Sequence, residues 1–473
     1  MPIKEFERQS KGPSQHDSFF FFSAYPTTIT FIPRAKKMRR GFLNHPRAKS
    51  GPKRSHDGVP PTQPSLSPSV NVTNTRSNPP IDNYSNALCS DDDVKQWAHK
   101  LGETPKTLYN RMGTQMARMN DTDFKMVFRN VTFKDFQGVV FADVKIHDLI
   151  PRRFDSRPSA LENAYRIAPA AGKGSGMFAN RDIPAGAAIL VENPIVVFPG
   201  VMGLGMSMSK DDIFKMLFDR LDPGVRERAL SLWNCKPADI CGKEEGIVRT
   251  NGFGLELAAP KIAVNPLATR YSGTFLDLSR CNHSCGPNAT HTWDPDTFST
   301  TLHATCNIKE GDEITIEYTK LTESRQTRRG RLFDMYLFHC ECEYCNLPDD
   351  EARASDEARS ELTKWSERSF SERCQNLSLH DGKLVNGFTR CIQLHEQESI
   401  FDMSFALHVS ELALVYGMLA DAKNFELWGR KAVESLRIMR ALDVPLWEEW
   451  LANPQQNFKN WGKMRHCTHK ARR

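Results

Sequence analysis

Apolar and polar positions follow different periods in successive parts of this chain. From Tyr165 to Tyr318, short apolar runs are separated by turn-forming residues such as the Asp-Ile-Pro-Ala-Gly at 182–186, and this pattern predicts short strands. Residues 209–245 interrupt the strands with a helical pattern, and the strand pattern resumes at Ile247. Residues 350–440 then show helical periodicity and few glycines. The sequence therefore predicts an α+β fold of small β-sheets with a helical insert, followed by a helical C-terminal region.

Pattern and composition together divide the chain into four predicted regions. Residues 1–84 are basic and then rich in Pro and Ser, which cannot bury a core, so we expect a disordered extension. Residues 85–150 are predicted to form a helical segment, because an Asp-Asp-Asp run suits a first helical turn. Residues 151–346 form the predicted strand-rich core, with its helical insert at about 205–247. Residues 347–473 form the predicted helical region.

Two apolar patterns in the C-terminal region predict a pair of antiparallel helices. One pattern runs from Phe405 to Tyr416 and the other from Phe425 to Leu436. The pair loosely resembles a tetratricopeptide-type hairpin, although one pair does not make a repeat array. A plain helical bundle is an equally good interpretation.

The positive charge of the chain is concentrated near its N-terminus. The whole chain carries +6, and because residues 1–60 carry +8, the remaining residues carry −2. We therefore expect no direct nucleic-acid site in the folded body. The basic stretch 34–54 is compatible with a nuclear import signal or a patch for an anionic partner, and also with a solvated tail. No apolar run reaches the roughly 18 residues of a membrane span, so no membrane partner is expected.

Cysteine usage indicates a reducing compartment. Of the 12 cysteines, Cys340, Cys342 and Cys345 have the close spacing of a metal site and not the spread of a disulfide framework. Structural zinc takes four ligands in a tetrahedron, so a fourth ligand has to come from elsewhere in the chain. We expect the protein in the nucleus, the cytoplasm or both.

Four motifs that follow one another in order carry most of the functional information. They are Lys173-Gly174-Ser175-Gly176, Asn282-His283-Ser284-Cys285-Gly286-Pro287, the Gly-Asp-Glu-Ile-Thr-Ile-Glu-Tyr that ends at Tyr318, and Cys340-x-Cys342-x-x-Cys345. In this order they resemble the SET domain, which transfers a methyl group from S-adenosylmethionine to a lysine amine. The Gly-x-Gly alone would be weak evidence, since it fits neither the dinucleotide fingerprint nor the P-loop. The resemblance implies a SET-type fold with a zinc-bound strip after the core.

The resemblance also implies a set of cofactor-binding residues. Backbone groups of Lys173, Gly174 and Ser175 would line S-adenosylmethionine, because small residues let the backbone approach a ligand closely. Asn282 and His283 would also contact the cofactor, and an Asn side chain offers both a donor and an acceptor to the charged methionine end. Further cofactor contacts are implied for Asn251, Tyr318 and Phe338.

The methyl-transfer site implied by the resemblance centres on Tyr318. Its hydroxyl would orient the lysine amine or the methyl group, without acting as the base. An aromatic channel of Tyr318, Tyr336 and Phe338 would desolvate the amine, lower its pKa and stabilise a cation on its ring faces. Tyr336 and Phe338 lie two positions apart, so they would share a face if the chain is extended there. Ile316 lies at the position that tunes the number of methyl groups in relatives.

In proteins with these motifs, the fourth zinc ligand is the cysteine of the Asn-His-Ser-Cys string, which is Cys285 here. Such a site would connect the strip after the core to the cofactor strand. It would also hold Tyr336 and Phe338 over the active site. Cys281 and His339 are alternative fourth ligands.

The split core and the helical C-terminus look like the SET-and-MYND class of lysine methyltransferases. A MYND finger has many Cys and His residues between the two halves of the core. Residues 200–250 have only two cysteines, Cys235 and Cys241, so we expect the MYND finger to be absent. The expected function is methylation of a lysine in a histone or another protein. One alternative is a SET-fold interaction module with weak catalysis. A second is a nucleic-acid-associated scaffold that acts through residues 34–54.

Overall fold

The structure is a computed structural model. It describes residues 126–200, 208–257, 270–367, 370, 373–374, 381–438 and 443–464, all of which belong to one compact unit. The predictions for residues 1–84 and for residues 85–125 lie outside the described residues.

Twelve strands are present in the described residues. They are β1 Met126–Thr132, β2 Gln137–Asp143, β3 Tyr165–Ala170, β4 Gly174–Ala179, β5 Ala188–Glu192, β6 Val196–Pro199, β7 Gly252–Glu256, β8 Arg270–Thr274, β9 Asn282–His283, β10 Ala289–Asp294, β11 Ser299–Ala304 and β12 Glu313–Ile316. They form a five-stranded sheet in the order β1-β2-β6-β8-β7, a three-stranded sheet β10-β11-β5 and a four-stranded sheet β3-β4-β12-β9.

Eleven α-helices accompany these strands in the same part of the chain. They are α1 Val144–His147, α2 Lys210–Asp219, α3 Pro223–Leu230, α4 Lys243–Thr250, α5 Arg325–Tyr336, α6 Asp349–Ser366, α7 Asp381–Glu398, α8 Met403–Met418, α9 Ala422–Ile438, α10 Val444–Ala452 and α11 Pro454–Asn457. The small sheets, the helical insert and the helical C-terminal region confirm the predicted α+β class.

Two predictions of local structure are wrong. Residues 126–143, which were expected in a helical segment, form the antiparallel hairpin β1–β2, and β2 pairs in parallel with β6. Residues 138–143 of β2 are buried without interruption, and such a continuous run suits a strand whose two faces are both covered. Ile247 lies inside helix α4, and the strands resume only at Gly252.

The five-stranded sheet separates two apolar cores, because successive side chains point to opposite faces. On β2, Val140 and Ala142 face the main core of the small sheets. Val139 and Phe141 face a second core, which the helices of the insert provide. The insert is thus packed on one face of the sheet, where Phe214 and Phe218 of α2 are almost fully buried.

The four-stranded sheet positions the motifs that the sequence singled out. Strand β12 lies between β4, with which it pairs antiparallel, and β9, with which it pairs in parallel. In this register Thr315 is opposite Asn282, and Ile316 is opposite His283. The Gly-x-Gly, Asn-His and Gly-Asp-Glu segments therefore meet on three neighbouring strands.

Helices α8 and α9 confirm the predicted pair in the C-terminal region. They are joined by a short connection and share one apolar core, in which Phe405 and Phe425 are almost fully buried. Gly417 permits this packing, because a Cβ atom there would lie 2.7 Å from Phe458 and 2.8 Å from Phe425. Among the helices that the structure describes, none is both long enough and apolar enough to cross a bilayer.

Candidate active site and metal centre

The Lys173–Gly176 segment forms the turn of the β3–β4 hairpin and the start of β4. Gly172 and Gly174 have φ angles of +72° and +75°, a region that favours glycine, so the turn is specified by its sequence. Gly176 is needed for a different reason. A Cβ atom there would lie 2.9 Å from Glu313 Oε1 and 3.1 Å from Asn282 Nδ2. The missing side chain lets strands β9 and β12 bring polar groups close to β4.

A polar network connects three of the motifs at this edge. The Asn282 amide donates to Glu313 Oε1 at 2.8 Å and to the Ser175 carbonyl at 3.2 Å. The Lys173 ammonium donates to Glu313 Oε2 at 2.7 Å. Glu313 thus joins two residues that were predicted to contact a cofactor. Glu313 itself was not predicted, because its role depends on contacts between strands that are far apart in the sequence.

His283 is buried, and both of its ring nitrogens have partners. The Tyr318 backbone N–H donates to His283 Nδ1 at 3.0 Å, so Nδ1 is an acceptor and the proton is on Nε2. Nε2 lies 3.4 Å from the Cys285 sulfur and can donate to it. The imidazole therefore connects the backbone of Tyr318 to a candidate metal ligand. Its ring atoms do not have a free donor or acceptor for a cofactor.

Tyr318 is half-buried just after β12 and packs against the main core. Its hydroxyl donates to the Cys281 carbonyl at 2.5 Å. Burial raises the pKa of Tyr318 far above the range in which the phenol would ionise, so the hydroxyl remains a protonated donor. Ile316, two residues earlier, is almost fully buried in the same core.

The predicted aromatic residues converge on Tyr318, but not by the predicted geometry. Tyr336 is the last residue of helix α5, and Leu337 follows with a left-handed φ of 58°, so this stretch is not extended. The reversal at Leu337 still brings both rings to one place. The ring centroids of Tyr318 and Tyr336 are 4.9 Å apart, those of Tyr336 and Phe338 are 6.5 Å apart, and those of His283 and Phe338 are 6.4 Å apart.

A cation from the insert lies beside this aromatic group. The Lys236 ammonium is 5.9 Å from the centre of the Tyr336 ring, and it donates to the Met335 carbonyl. Burial raises the pKa of Tyr336 to about 12, so this hydroxyl is also protonated at neutral pH. Sequence reasoning missed Lys236, because nothing in its local pattern distinguishes it from other lysines of the insert.

Asn251 holds the end of the insert. Its side-chain amide donates to the Trp233 carbonyl and to the Ile247 carbonyl, both at 2.7 Å. The residue is buried and closes helix α4 just before strand β7. Its amide hydrogens are thus used within the protein, and this argues against its predicted contact with a cofactor through the amide nitrogen.

The structure brings Cys285, Cys340, Cys342 and Cys345 together. Their four sulfur atoms lie within 4.8 Å of one another, and three of the four residues are buried. Four thiolates at about 2.3 Å from one zinc ion would be about 3.8 Å apart. The 3.6 Å between the sulfurs of Cys285 and Cys345 fits that edge length. The donor set and its spacing therefore suit a structural zinc ion.

The alternative ligands are occupied elsewhere. The Cys281 sulfur lies 3.6 Å from that of Met177 in the main core, and the His339 ring stacks on Phe333 with a centroid distance of 4.7 Å. In the described part of the insert, neither Cys235 nor Cys241 belongs to a group that could hold a metal ion.

Three N–H groups lie against the sulfurs of the four-cysteine cluster. The Arg328 Nε donates to the Cys285 sulfur at 3.2 Å, and the Cys285 N–H donates to the Cys342 sulfur at 3.5 Å. The third is the Nε2–H of His283. Four thiolates around Zn²⁺ leave a net charge of −2, which N–H donors and a buried guanidinium compensate. Arg328 is fully buried, so its charge needs this partner.

A second buried arginine connects the cysteine cluster to the C-terminal helices. Arg359 on α6 donates to the Cys285 carbonyl at 3.1 Å and also to the Leu321 carbonyl. Its Nε pairs with Glu398 on α7 at 3.0 Å, and its guanidinium lies 5.0 Å from the centre of the Tyr344 ring. Neither buried arginine was predicted, because a helical pattern alone places charged residues in solvent.

Residues 174–319 match the SET domain family. The chain is 26% identical to histone-lysine N-methyltransferase set5 of Schizosaccharomyces pombe over 275 residues, which are 57% of this chain and 77% of that protein. It is 29% identical to human N-lysine methyltransferase SMYD2 over 143 residues, 30% of each chain. It is 39% identical to zebrafish protein-lysine N-trimethyltransferase SMYD5 over 89 residues, 18% of this chain and 21% of that protein. The match thus spans most of set5 but less than a third of the two other relatives.

Proposed function

We propose that the chain is an S-adenosylmethionine-dependent protein-lysine N-methyltransferase, because residues 174–319 match the SET domain family and similar proteins are named as protein-lysine methyltransferases. The observation that carries the proposal is the convergence of Tyr318, Tyr336 and Phe338 beside strand β9, which bears Asn282. An aromatic group next to a set of polar donors and acceptors suits a reaction in which a charged cofactor transfers a methyl group to an amine.

S-Adenosylmethionine supplies an electrophilic methyl group on a sulfonium. The residues of the chain would have to hold the lysine amine in its neutral form and in line with that methyl group. The rings of Tyr318, Tyr336 and Phe338 remove water from the amine, which lowers its pKa. Their faces also favour the cationic product. The Tyr318 hydroxyl remains a donor and orients polar atoms, while the buried Ile316 limits the space behind it.

We assign the cofactor-binding role to Lys173, Gly174, Ser175 and Asn282. Lys173 directly precedes β4, Gly174 and Ser175 begin β4, and Asn282 lies on β9 across β12. They surround a polar edge where Gly176 allows a close approach to the backbone. We assign His283 a positioning role, because its ring nitrogens are engaged by Tyr318 and Cys285. Phe338 contributes a ring to both the cofactor side and the lysine channel.

The zinc ion would be structural. Held by Cys285, Cys340, Cys342 and Cys345, it would fix the segment that follows Tyr336 and so keep Phe338 in place. The same ion would connect this segment to strand β9, because Cys285 follows that strand by two residues. The four-thiolate donor set leaves no open position for chemistry.

The substrate is a lysine side chain of another protein. The name of the fission-yeast relative makes histones the first substrates to test, and the names of the human and zebrafish relatives extend the range to other proteins. We expect the protein to act in the nucleus, the cytoplasm or both.

The test is calorimetric binding of S-adenosylmethionine to the zinc-loaded full chain. We expect micromolar binding by the parent, strong loss in Asn282→Ala and retained binding in Tyr318→Phe. Transfer of tritiated methyl groups to purified core histones then separates binding from catalysis, since Tyr318→Phe should bind but transfer poorly. Absence of binding by the zinc-loaded parent would overturn the enzyme assignment.

A further inference from the structure

We propose that Lys236 of the helical insert is a positioning residue for the lysine channel, because it fixes the end of helix α5 and with it the Tyr336 ring. The inference rests on the proposed function, since it assumes that the rings of Tyr318 and Tyr336 receive the substrate amine. It gives the insert a part in the reaction, in addition to its packing on the five-stranded sheet.

Lys236 contacts both the last turn of α5 and the aromatic ring at its end. The Lys236 ammonium donates to the Met335 carbonyl and lies 5.9 Å from the centre of the Tyr336 ring. Both contacts suit a cation, because the carbonyl end of a helix carries a partial negative charge and the face of an aromatic ring is also negative. One ammonium thus fixes the backbone next to Tyr336 and the ring itself.

The end of α5 needs a cation from elsewhere in the chain. Its last turn contains no basic residue and includes Asp334. Leu337, which reverses the chain with a left-handed φ of 58°, is 49% exposed, so apolar packing contributes little to this turn. In this strip the four-cysteine cluster begins only at Cys340. Lys236 therefore acts on a part of the channel that lies before the cluster.

The residues next to Lys236 are fixed to helix α4. The Lys236 backbone N–H donates to Asn234 Oδ1 at 2.8 Å, and the Cys235 N–H donates to Thr250 Oγ1 at 3.1 Å. A Cβ atom at Gly246 would lie 2.5 Å from Asn234 Nδ2, so the missing side chain lets α4 pack closely here. Because its backbone is already held, Lys236 loses less conformational freedom when its ammonium binds α5.

A shift of Tyr336 should affect the alignment of the amine and not the binding of the cofactor. The Tyr336 ring lies 4.9 Å from that of Tyr318, so loss of the Lys236 contacts allows one side of the channel to move. Methyl transfer requires the amine in line with the methyl group, and a misplacement of about 1 Å can slow a reaction by about 100-fold. The polar residues assigned to cofactor binding lie at β4 and β9, away from α5 in the chain.

Two variants of Lys236 and one control separate these effects. Lys236→Met keeps the apolar stem and removes the charge, Lys236→Arg restores a cationic donor, and Lys243→Met removes an exposed lysine at the start of helix α4. For each zinc-loaded full chain, calorimetry measures the affinity for the adenosyl ligand S-adenosylhomocysteine. Transfer of tritiated methyl groups to purified core histones gives kcat. Hydrogen exchange followed by mass spectrometry reports on the backbone of residues 333–338.

We expect Lys236→Met to lower kcat by about 10- to 100-fold, and to speed amide exchange in residues 333–338. Its affinity for S-adenosylhomocysteine should equal that of the parent. Lys236→Arg should recover most of the transfer rate, and Lys243→Met should behave as the parent does.

Three results would overturn the inference while leaving the proposed function intact. The parent and Lys236→Met could show equal transfer rates and equal exchange. Lys236→Arg could be as slow as Lys236→Met, although it can donate to the same carbonyl. Lys236→Met could also lose S-adenosylhomocysteine affinity in proportion to kcat, in which case Lys236 supports the whole site and not the channel.

Failure of the parent to bind the adenosyl ligand or to transfer methyl groups is a different result. It removes the proposed function itself, and the inference with it.

Discussion

The cysteine cluster and the C-terminal helical core are both buried, but different forces hold them. Around Cys285, a few directional bonds from His283, Arg328 and Arg359 meet at one candidate metal site. The C-terminal core instead buries a broad apolar surface, in which Phe425 stacks with Phe458 at 5.7 Å and with Trp447 at 6.2 Å. We therefore expect the cluster to be disrupted when a single ligand or donor atom is removed. The helical core should be destabilised when buried apolar contact area is removed.

Removal of the metal should have the largest effect on structure and ligand binding. This effect should be confined to the cysteine cluster and the site beside it. Structural zinc sites contribute about 10–16 kcal/mol of apparent binding free energy, and this energy is coupled to local folding. Cys345→Ser should reduce the zinc content from about one ion per chain to nearly none. It should also abolish adenosyl-ligand binding. Elemental analysis and calorimetry measure both quantities.

Cys306→Ser is the matched control for that prediction, because Cys306 is a half-buried cysteine outside the cluster. It should keep the zinc and the ligand binding. Equal zinc contents in the two variants would contradict the assignment of the ligands.

Loss of Arg359 should destabilise the connection between the two regions. Arg359→Met leaves the buried Glu398 carboxylate without its cation and removes the bonds to the Cys285 and Leu321 carbonyls. Breaking a buried ion pair from one side costs about 3–5 kcal/mol in the free energy of unfolding. Denaturant unfolding would measure it.

Arg353 provides the comparison on the same helix, since its pair with Asp350 is exposed. Arg353→Met should leave the unfolding midpoint nearly unchanged. If the two arginine variants unfold alike, Arg359 does not stabilise the connection between the two regions.

A large-to-small change in the helical core should leave the metal site intact. Phe425→Ala removes a fully buried ring and should cost about 3–4 kcal/mol in unfolding free energy. Because its contacts are with helical-core residues such as Trp447, Phe458 and Trp461, zinc content and adenosyl-ligand binding should be retained. Loss of zinc in this variant would show that the metal site depends on the packing of the helical core.

The smallest predicted effect is a pH dependence of the helical core. His408 donates through Nδ1 to His395 Nε2 at 3.1 Å, and His395 in turn donates to the Ile400 carbonyl at 2.7 Å. Burial lowers the pKa of both imidazoles, and that of His408 is well below its usual value. Below about pH 6.5, these two imidazoles are protonated in the unfolded chain but remain neutral in the folded chain. The free energy of unfolding therefore falls as the pH falls.

Charged neighbours modify this pH dependence. Arg373 disfavours protonation of His408, and Asp402 favours protonation of His395. Burial raises the pKa of the nearby Glu411 to about 7 against the effect of Arg373, so its titration has the opposite sign. The difference between the parent and His408→Gln isolates the histidine part. Between pH 7 and pH 5, the melting temperature of the parent should fall more steeply than that of His408→Gln. Parallel plots of melting temperature against pH for the two proteins would refute the prediction.

Local pattern predicted much of this molecule, and long-range contacts explain what it missed. The spacing of Cys340, Cys342 and Cys345 indicated a metal site, and the periodicity near Phe405 and Phe425 indicated two helices. The β1–β2 hairpin was not predicted, although its Val and Phe residues favour strands, because the acidic run upstream suits the start of a helix.

Three of the site residues that sequence reasoning missed share one physical cause. Glu313, Arg328 and Arg359 are charged side chains whose partners are distant in sequence, and a charged residue is normally expected in solvent. The rings of Tyr318, Tyr336 and Phe338 lie close together, although not through the extended geometry that was expected. The left-handed turn at Leu337 brings Tyr336 and Phe338 together, and no local signal specified it.

Dependence of the active site on the cysteine cluster is tested most directly by adenosyl-ligand binding measured before and after zinc is removed with a chelator and then restored. We expect about one zinc ion per chain. S-Adenosylhomocysteine binding should disappear with the metal and return with it, while the helical circular dichroism signal changes little. Binding that persists without zinc, or a protein that never contained the metal, would contradict the claim that the four-cysteine cluster holds the active site in place.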